Sequence, residues 1–323
     1  MENNILFEKI NTAYEELIQK LGSEAVKKDE PMKSHITFRV GGNADLYIKP
    51  ETAEDIDFTV KCLKKNNIEF FIIGNGSNLI VQDKGIRGAV IQIYDNFSDV
   101  DVDGDVIYAK GGTLLSKVAS IAMDNGLGGM EFASGIPGSI GGAVYMNAGA
   151  YGGEMKDIVV SVDILDENGN ILTLSKDDMD FSYRKSIICN SKKIILGCKL
   201  KLYTDEKENI KSKMSELSKQ RKEKQPLEFP SAGSTFKRPE GYFAGKLISD
   251  ADLKGYSIGG AQVSEKHAGF IINKGNATSK DILDLIEHCQ KVVFEKFGVK
   301  LEPEVKIIGE RWFSKGGCPK WDL

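Results

Sequence analysis

Residues 126–153 read GLGGMEFASGIPGSIGGAVYMNAGAYGG and carry ten glycines in twenty-eight positions. A uniform spread of the 34 glycines over the 323-residue chain would place about three there. Glycine inside an ordered element costs roughly 0.5–1 kcal/mol relative to alanine, so such a cluster needs a local reason. The interleaved residues are mostly small or apolar, unlike those of a flexible linker. We interpret the segment as an ordered cradle for a large anionic ligand, with a dinucleotide as the best candidate.

A second glycine-bearing loop lies upstream. The apolar run IEFFII at 68–73 predicts a buried strand, and GNGSN at 74–78 follows it at once. Small residues with free N–H groups at the end of a strand favour anion binding. Leu79 stands where a GxGxxG fingerprint would have its third glycine, and a β-like run follows instead of a helix. No GxxxxGK[ST] motif occurs either, so the pairing of two glycine loops carries the prediction.

Composition and charge exclude several classes of function. Hydrophobic residues make up 41% of the chain, charged residues 28%, and the net charge is −4. This balance is typical of a globular protein and argues against a nucleic-acid partner or an anionic membrane surface. No apolar run approaches the roughly 18 residues of a membrane span, and no signal peptide is recognisable. We therefore expect a cytoplasmic protein with no membrane insertion.

The chain offers no metal-ligand pattern. Its five cysteines form no CxxC pair, and its three histidines form no HExxH motif or cluster with cysteine. Scattered reduced thiols and no metal site are expected. Cys289 falls on the apolar face of a predicted helix and is expected in the core.

Hydrophobic periodicity predicts alternating helices and strands, and therefore an α+β protein. The predicted elements begin with a helix over 5–21 that ends at Gly22, a strand–turn–strand over 38–48 and a helix capped by Thr52. Strands over 68–73, 79–93 and 100–109 follow, then a helix from Thr113 to Gly126, a hairpin over 158–174 with its turn from Asp166 to Gly169, and a strand over 194–202. A charged connecting helix over 205–224 leads to a helix from Thr278 to Phe297, which starts with capping-box spacing between Thr278 and Asp281 and is ended by Gly298. The expected parts are an N-terminal helical segment (1–35), a first domain (36–204), a C-terminal domain (205–310) and a tail (311–323).

Three separate residues are candidates for chemistry. Arg184, in FSYRKS, offers a fork that binds a carboxylate in plane. Ser234, in PSAGSTFK, suits a side chain displayed to a ligand, although no GxSxG elbow accompanies it. Glu304, in LEPEV, follows a proline at the start of a predicted strand. Taken one at a time, an exposed charge or a loop serine explains each pattern equally well or better.

The order of five segments is more specific. They are GNGSNL from Gly74, GIPGSIGGAVYMNAGAYG from Gly135, SYRKS from Ser182, GSTFK from Gly233 and LEPEV from Leu301. Together they resemble the UDP-N-acetylenolpyruvoylglucosamine reductases of peptidoglycan synthesis, from about Ile36 to Gly309. The resemblance implies an FAD-binding domain of the vanillyl-alcohol-oxidase (PCMH) type in two subdomains, followed by a C-terminal α+β substrate-binding domain.

The resemblance also implies a site. It carries an active-site arginine onto Arg184, a proton-donating serine onto Ser234 and an active-site glutamate onto Glu304. The residues that it assigns to FAD are Gly74, Asn75, Gly76, Ser77, Asn78, Ser134, Gly135, Ile136, Pro137, Gly138, Ser139, Gly141, Gly142, Ala143, Asn147, Ala148, Gly149 and Ala150. The covalent attachment found in oxidases of this fold uses a His or Cys, and 126–153 contains neither, which favours non-covalent FAD.

The expected substrate contacts depart from the family pattern in two places. Arg238 stands where many relatives have asparagine, and His267 where some have glutamine; both positions border the substrate in the family. Lys222 and Lys237 flank Ser234 and are candidates for binding the diphosphate, with surface solubility as the alternative. The chain between Arg184 and Ser234 is too short for the tyrosine-bearing loop of one subgroup.

The implied reaction is reduction of UDP-N-acetylglucosamine enolpyruvate to UDP-N-acetylmuramate, with NADPH as co-substrate. Arg184 would stabilise the charge that builds on the substrate, and Ser234 would deliver a proton. Glu304 would be protonated beside the substrate carboxylate. Two alternatives stay open: a hydroxy-acid or lactone oxidase of the same fold, and a non-catalytic flavin or nucleotide-sugar sensor. A monomer or weak oligomer is expected.

Overall fold

The computed structural model describes residues 2–309, so the predicted tail at 311–323 lies outside the described residues. Its helices are α1 Glu2–Leu21, α2 Ala53–Lys65, α3 Leu115–Asp124, α4 Ile140–Tyr145, α5 Met155–Ile158, α6 Lys207–Lys224, α7 Ala244–Asp250 and α8 Ser279–Phe297. Its strands are β1 Val26–Pro31, β2 Asn43–Ile48, β3 Phe70–Ile73, β4 Leu79–Val81, β5 Ile86–Gln92, β6 Val100–Asp103, β7 Val106–Lys110, β8 Leu127–Gly128, β9 Gly149–Ala150, β10 Gly153–Glu154, β11 Val159–Leu165, β12 Ile171–Ser175, β13 Ile194–Lys201, β14 Tyr203–Thr204, β15 Ser257–Ile258, β16 Ala261–Val263, β17 Ile271–Asn273 and β18 Lys306–Ile308. The mixture confirms the predicted α+β class.

The first sheet has the strand order β1-β2-β5-β3. β3 and β2 both run parallel to β5, and α1 and α2 share a buried core with this sheet that includes Leu17 and Leu63. α2 begins with a capping box between Thr52 and Asp55, which confirms the predicted cap. Because β3 is an edge strand that ends at Ile73, the GNGSN loop leaves the sheet at its rim.

Strand β1 was not predicted. Its sequence, VKKDEP, has exposed side chains at three successive positions and lacks the alternation that signals a strand. It forms because its backbone pairs antiparallel with β2, from Val26 opposite Ile48 to Pro31 opposite Asn43. The predicted boundary at residue 36 therefore falls between two partners of one sheet, and the predicted strand–turn–strand at 38–48 contains only the strand β2.

The second sheet is antiparallel, with the order β12-β11-β13-β7-β6. β11 and β12 form the predicted hairpin, and Gly169 in its turn has a φ of +88°. α3 and α4 contribute to the core of this sheet. The predicted start of α3 at Thr113 was wrong: Leu114 is the N-cap, and the buried Thr113 hydroxyl instead bonds with the Asp99 backbone.

The C-terminal part packs against the first sheet. Its small sheet, in the order β15-β16-β17, and helix α8 share one core with β4 and β5, in which Val81 and Val90 are buried together with Leu285 and Val293. β18 pairs in parallel with β4, with Lys306 opposite Leu79. This pairing brings the LEPEV segment beside the GNGSN loop. Helix α6 is mostly exposed, as predicted for a connecting helix, and Ile210 is its buried contact.

We expect Thr278→Ala to lower the free energy of unfolding by about 1 kcal/mol, because it removes the side chain that accepts from Asp281 N at the start of α8. Thr12→Ala is the matched control. Its hydroxyl bonds to Glu8 O within α1, where alanine is the better helix former, so a change within about 0.5 kcal/mol is expected. Equal losses in urea unfolding of the two variants would contradict a capping role.

Candidate active site

The two glycine-rich loops lie side by side. The Asn75 side-chain amide donates to the Pro137 carbonyl over 2.7 Å, and a Cβ added to Gly74 would collide with Ser139 Oγ. Together the loops border a groove of about 1720 Å³. The predicted cofactor residues that line this groove are Gly74, Asn75, Gly76, Ser77, Asn78, Ile136, Gly138, Ser139, Gly141, Gly142, Ala143 and Ala148.

Three carbonyls of these loops are held by donors from the surrounding fold. Gly74 O accepts from Gln92 Nε2 over 2.8 Å, Gly76 O from Thr37 N over 3.2 Å, and Gly138 O from Leu115 N over 3.0 Å. In a trans peptide the C=O and the following N–H point in opposite directions. The N–H groups of residues 75, 77 and 139 are therefore turned away from these donors, and they meet no hydrogen-bond acceptor within residues 2–309. Such unpaired N–H groups favour an anion.

The absence of side chains keeps the groove open at two glycines of the long segment. A Cβ on Gly138 would come no closer than 3.7 Å to its neighbours, and one on Gly142 no closer than 3.6 Å. Protein packing therefore does not require glycine at either position. A cradle of backbone with free N–H groups and no Cβ fits the diphosphate and ring system of a dinucleotide.

Six predicted cofactor residues do not line the groove, and their assignment stays a prediction. They are Ser134, Gly135, Pro137, Asn147, Gly149 and Ala150. Asn147 is fully buried: its side chain donates to Ser182 O and to Glu154, and accepts from Lys156 N. The Gly149 carbonyl accepts from Arg184 Nη2 over 3.2 Å. Asn147 and Gly149 thus brace the loop that carries Arg184.

Arg184 and Glu304 form a hydrogen-bonded ion pair, with 2.7 Å between Nε and Oε1. The side chains are 22% and 12% exposed, so water screens the pair only in part. Arg184 occupies a tight turn with a φ of +57°. The Glu304 backbone is fixed at both ends: its N–H donates to Thr235 O over 2.8 Å, and its carbonyl accepts from Asn78 Nδ2 over 3.1 Å. Burial raises the pKa of Glu304, and the Arg184 guanidinium opposes that rise.

A second cavity, of about 390 Å³, adjoins this pair. Tyr183, Arg184 and Glu304 line both the groove and the cavity, so the two spaces meet there. The exposed Ser234 also lines the cavity. Its loop is held by Thr235, whose N–H donates to Gly269 O and whose hydroxyl accepts from Ile271 N. The structure therefore brings together the three residues that the family resemblance singled out.

Three of the predicted substrate residues border these spaces. Arg238 lines the cavity, with its guanidinium 4.0 Å from the Phe243 ring centroid. His267 also lines it, and its Nδ1 accepts from Gly269 N over 3.1 Å. Lys237 lines the larger groove and pairs with Glu302 over 3.2 Å.

Lys222 has a different position. It is exposed and lines neither of these two spaces, and its backbone carbonyl accepts from Lys266 Nζ over 2.6 Å. Its assignment to the substrate stays a prediction. Tyr183 and Phe243, which sequence reasoning missed, are 54% and 58% exposed at the cavity. The signal that could have found them is an aromatic residue within the SYRKS motif and another a few residues after GSTFK.

Family models match two parts of the chain. One described as the FAD binding domain matches residues 44–175, and one described as the UDP-N-acetylenolpyruvoylglucosamine reductase C-terminal domain matches residues 225–308. The UDP-N-acetylenolpyruvoylglucosamine reductase of Caldanaerobacter subterraneus subsp. tengcongensis is 56% identical, over 88% of this chain and 93% of its own length. The chain belongs to the UDP-N-acetylenolpyruvoylglucosamine reductase family. The motif resemblance is thereby confirmed.

Two further relatives agree with this family. The UDP-N-acetylenolpyruvoylglucosamine reductase of Clostridioides difficile is 53% identical, over 92% of this chain and 98% of its own length. The crystal structure of UDP-N-acetylenolpyruvylglucosamine reductase (MurB) from Thermus caldophilus shares 35% identity with a TM-score of 0.75, and the match covers 87% of this chain and 97% of that one. These matches confirm the fold class: a PCMH-type FAD-binding domain followed by the family's C-terminal domain. Across residues 2–309, no helix is long and apolar enough to cross a membrane.

We expect the stability of the protein to depend on His267 as the pH falls. Burial, with a smaller contribution from Lys254, lowers the pKa of His267 below its ordinary value of 6.5. The unfolded chain therefore takes up this proton first, and stability present above the ordinary pKa is lost as the pH falls below it. Between about pH 7.5 and 5.5, wild type should lose more free energy of unfolding than His267→Gln, which keeps an amide in place of the titrating ring. Parallel stability curves for the two proteins in urea titrations would contradict this.

Proposed function

We propose that the protein reduces UDP-N-acetylglucosamine enolpyruvate to UDP-N-acetylmuramate with NADPH and non-covalent FAD, using Arg184, Ser234 and Glu304. The observation that supports this proposal best is that the groove and the smaller cavity meet at the ion pair between Arg184 and Glu304. A groove with unpaired backbone N–H groups opens on one side of Arg184 and Glu304, and a smaller cavity with Ser234 opens on the other. A reductase needs such a junction, because the hydride donor and the acceptor must meet at one point.

The groove residues fit FAD. The free N–H groups of residues 75, 77 and 139 would bind its diphosphate, and Gly138 and Gly142 leave the space that a side chain would otherwise fill beside its ring system. When bound, FAD supplies hydride transfer between NADPH and the enolpyruvyl group. The groove segment 126–153 contains no His or Cys, the residue types that attach flavin covalently.

Arg184 would bind the substrate carboxylate and stabilise the negative charge that develops beside it. A fixed cation in a site shielded from water acts with little reorganisation, which is the largest contribution in many enzymes. Its orientation is set by two partners, Glu304 through Nε and Gly149 O through Nη2. Because these partners leave Nη1 without a bond to the described residues, the guanidinium keeps a donor for the substrate.

Ser234 would deliver the proton to the substrate α-carbon. Its hydroxyl is exposed to the cavity and has no hydrogen-bond partner within residues 2–309, so it is available to substrate. Glu304 would keep Arg184 in place and, when protonated, accommodate the substrate carboxylate. Burial raises its pKa toward that form, although Arg184 opposes the shift.

Two further features of the protein stay predictions: its action in the cytoplasm, and a monomeric or weakly oligomeric state. An oxidase of the same fold or a non-catalytic sensor would not need Ser234, Arg184 and Glu304 together at one cavity. Their convergence supports the reductase over both alternatives.

We expect Gly138→Ala to weaken FAD binding about tenfold or more and Gly138→Val to abolish it, because a Cβ there meets the cofactor and not the protein. Fluorescence quenching of FAD added to the apoprotein measures this. Gly104→Ala is the control. It forces a side chain onto a φ of +58° in the β6–β7 turn, so it should lower stability and leave FAD affinity unchanged. Normal FAD affinity in both Gly138 variants would show that this backbone does not face the cofactor.

We expect Ser234→Ala to slow reoxidation of the reduced flavin by the enolpyruvyl substrate by about 10²–10⁴, the usual contribution of a positioned general acid. Flavin reduction by NADPH should be nearly unchanged, and Ser234→Cys should recover part of the loss. Stopped-flow flavin absorbance resolves the two half-reactions. Ser231→Ala, in the same loop but lining neither space, is the control and should leave both rates unchanged. Equal slowing of both half-reactions by Ser234→Ala would make this serine structural.

A further inference from the structure

Two polar side chains are buried in the first sheet directly behind the GNGSN loop. Tyr47, on β2, is 1% exposed, and Gln92, at the end of β5, is 4% exposed. Neither lines the groove or the smaller cavity. Burying a phenol and a primary amide in a mainly apolar core is costly unless their polar atoms are bonded. Packing alone would be served better by apolar residues of similar volume.

The two side chains form a chain of hydrogen bonds from strand β2 to the GNGSN loop, in which each group donates to the next. The Tyr47 hydroxyl bonds to Gln92 Oε1, and Gln92 Nε2 donates to the Gly74 carbonyl over 2.8 Å. The Gly74 carbonyl can only accept, so the NH₂ end of the amide must face it. Oε1 then faces Tyr47 and can only accept, so the hydroxyl must donate. The Gly74 carbonyl therefore sets which end of the Gln92 amide faces the loop, and the Tyr47 hydroxyl holds the opposite end in that orientation.

The surroundings keep the Tyr47 hydroxyl protonated. Burial raises the pKa of Tyr47, and the carboxylates of Glu30 and Asp95 raise it further. The His35 ring stacks on the Tyr47 ring with 4.1 Å between centroids, and its Nε2 lies 2.8 Å from Glu30 Oε1. The ring is thus held on its face as well as at its hydroxyl. The Tyr47 hydroxyl therefore stays protonated, and able to donate, over the pH range in which proteins work.

The consequence for the loop follows from peptide geometry. The Gly74 carbonyl and the N–H of residue 75 belong to one planar trans peptide and point in opposite directions. Holding the carbonyl toward Gln92 therefore points this N–H away from Gln92. That N–H has no acceptor within residues 2–309, and Asn75 lines the groove. Gly74 itself cannot be braced by a side chain, because Ser139 Oγ occupies the position of its Cβ.

We propose that Gln92, oriented by Tyr47, is a positioning residue that aims the first N–H of the GNGSN loop at the anionic part of the cofactor. The inference rests on the proposed FAD site in the groove. Gln92 and Tyr47 touch no cofactor atom; they set in advance the direction of a peptide group that does. Loss of this brace leaves the loop free to rotate the peptide between residues 74 and 75, and FAD must then fix it on binding.

The test is a double-mutant cycle on FAD affinity, measured by flavin fluorescence quenching with full-length apoprotein. Gln92→Leu removes the donor to Gly74 O, and about tenfold weaker binding is expected, since one hydrogen bond contributes about that factor. Tyr47→Phe removes the donor that holds Gln92 Oε1 but leaves the bond from Gln92 Nε2 to Gly74 O possible, so a smaller loss, about threefold, is expected. The double variant should bind FAD no more weakly than Gln92→Leu, because Tyr47 acts through Gln92.

Two controls separate positioning from general damage to the fold. Gln262→Leu removes a comparable bond, from Gln262 Nε2 to Gly255 O, away from both glycine loops, and should bind FAD like wild type. Thermal unfolding of each apoprotein reports stability. A structural role would lower stability without changing FAD affinity in the variants that fold, and independent roles would make the losses of affinity additive. If Gln92→Leu does not fold, the result for Tyr47→Phe decides.

Each outcome has a distinct meaning. Nonadditive loss of affinity in the cycle, with normal binding by Gln262→Leu, supports the positioning role. Wild-type affinity in Gln92→Leu, or in Tyr47→Phe when that variant alone folds, overturns it, and so do additive losses. If wild type binds no FAD, or if Gly138→Val binds it normally, the proposed FAD site itself fails, and the positioning role fails with it.

Discussion

The ion pair between Arg184 and Glu304 joins two parts of the chain that are 120 residues apart. Arg184 sits in a turn that is braced by Asn147 and Gly149 from the glycine-rich segment. Glu304 precedes β18, the strand that runs from the C-terminal part into pairing with β4 of the first domain. The pair can form only when the glycine-rich segment, the C-terminal part and the GNGSN loop are all in place. The groove and the cavity lined by Ser234 meet at this pair.

Such a pair contributes little to the free energy of unfolding, but it fixes the orientation of the two side chains. Taking a guanidinium and a carboxylate partly out of water costs free energy that their attraction only partly returns. Apolar residues of similar volume would therefore stabilise the fold at least equally well. The pair instead sets the orientation of the Arg184 guanidinium. The Glu304 carboxylate holds Nε and the Gly149 carbonyl holds Nη2, which keeps Nη1 at a fixed angle with no bond to the described residues. The same principle acts in the GNGSN loop, where held carbonyls direct free N–H groups.

The sequence predicted the parts of the fold that depend on local interactions. The capping residues Thr52 and Thr278, the hairpin turn at Gly169 and the αL residue Gly298 each act within a few residues of chain, and the structure confirms all four. Strand β1 was missed because its side chains do not alternate between apolar and polar. It forms through backbone pairing with β2. The start of α3 was misplaced at Thr113, whose hydroxyl bonds to the distant Asp99 backbone instead.

The site was predicted by a different route. Arg184, Ser234 and Glu304 are unremarkable in isolation, and only the order of the motifs around them pointed to one family. No local pattern shows that Arg184 and Glu304 pair or that Ser234 lines the same cavity, because Glu304 is placed by the pairing of β18 with β4. Tyr47 and Gln92 gave no signal in the sequence, because each lies at a buried position of a strand, where a polar residue is ordinarily a satisfied core group. Their role becomes visible only from the bonds that the fold creates.

The measurement that tests this account most directly is the visible spectrum of the FAD-loaded protein under anaerobic conditions. We expect NADPH to bleach the flavin band and UDP-N-acetylglucosamine enolpyruvate then to restore it, whereas UDP-N-acetylglucosamine, which lacks the enolpyruvyl group, should not. Restoration requires that the enolpyruvyl group reach the junction beside Arg184 and Glu304. A flavin band that NADPH does not bleach, or that stays bleached after the enolpyruvyl substrate is added, would contradict the account.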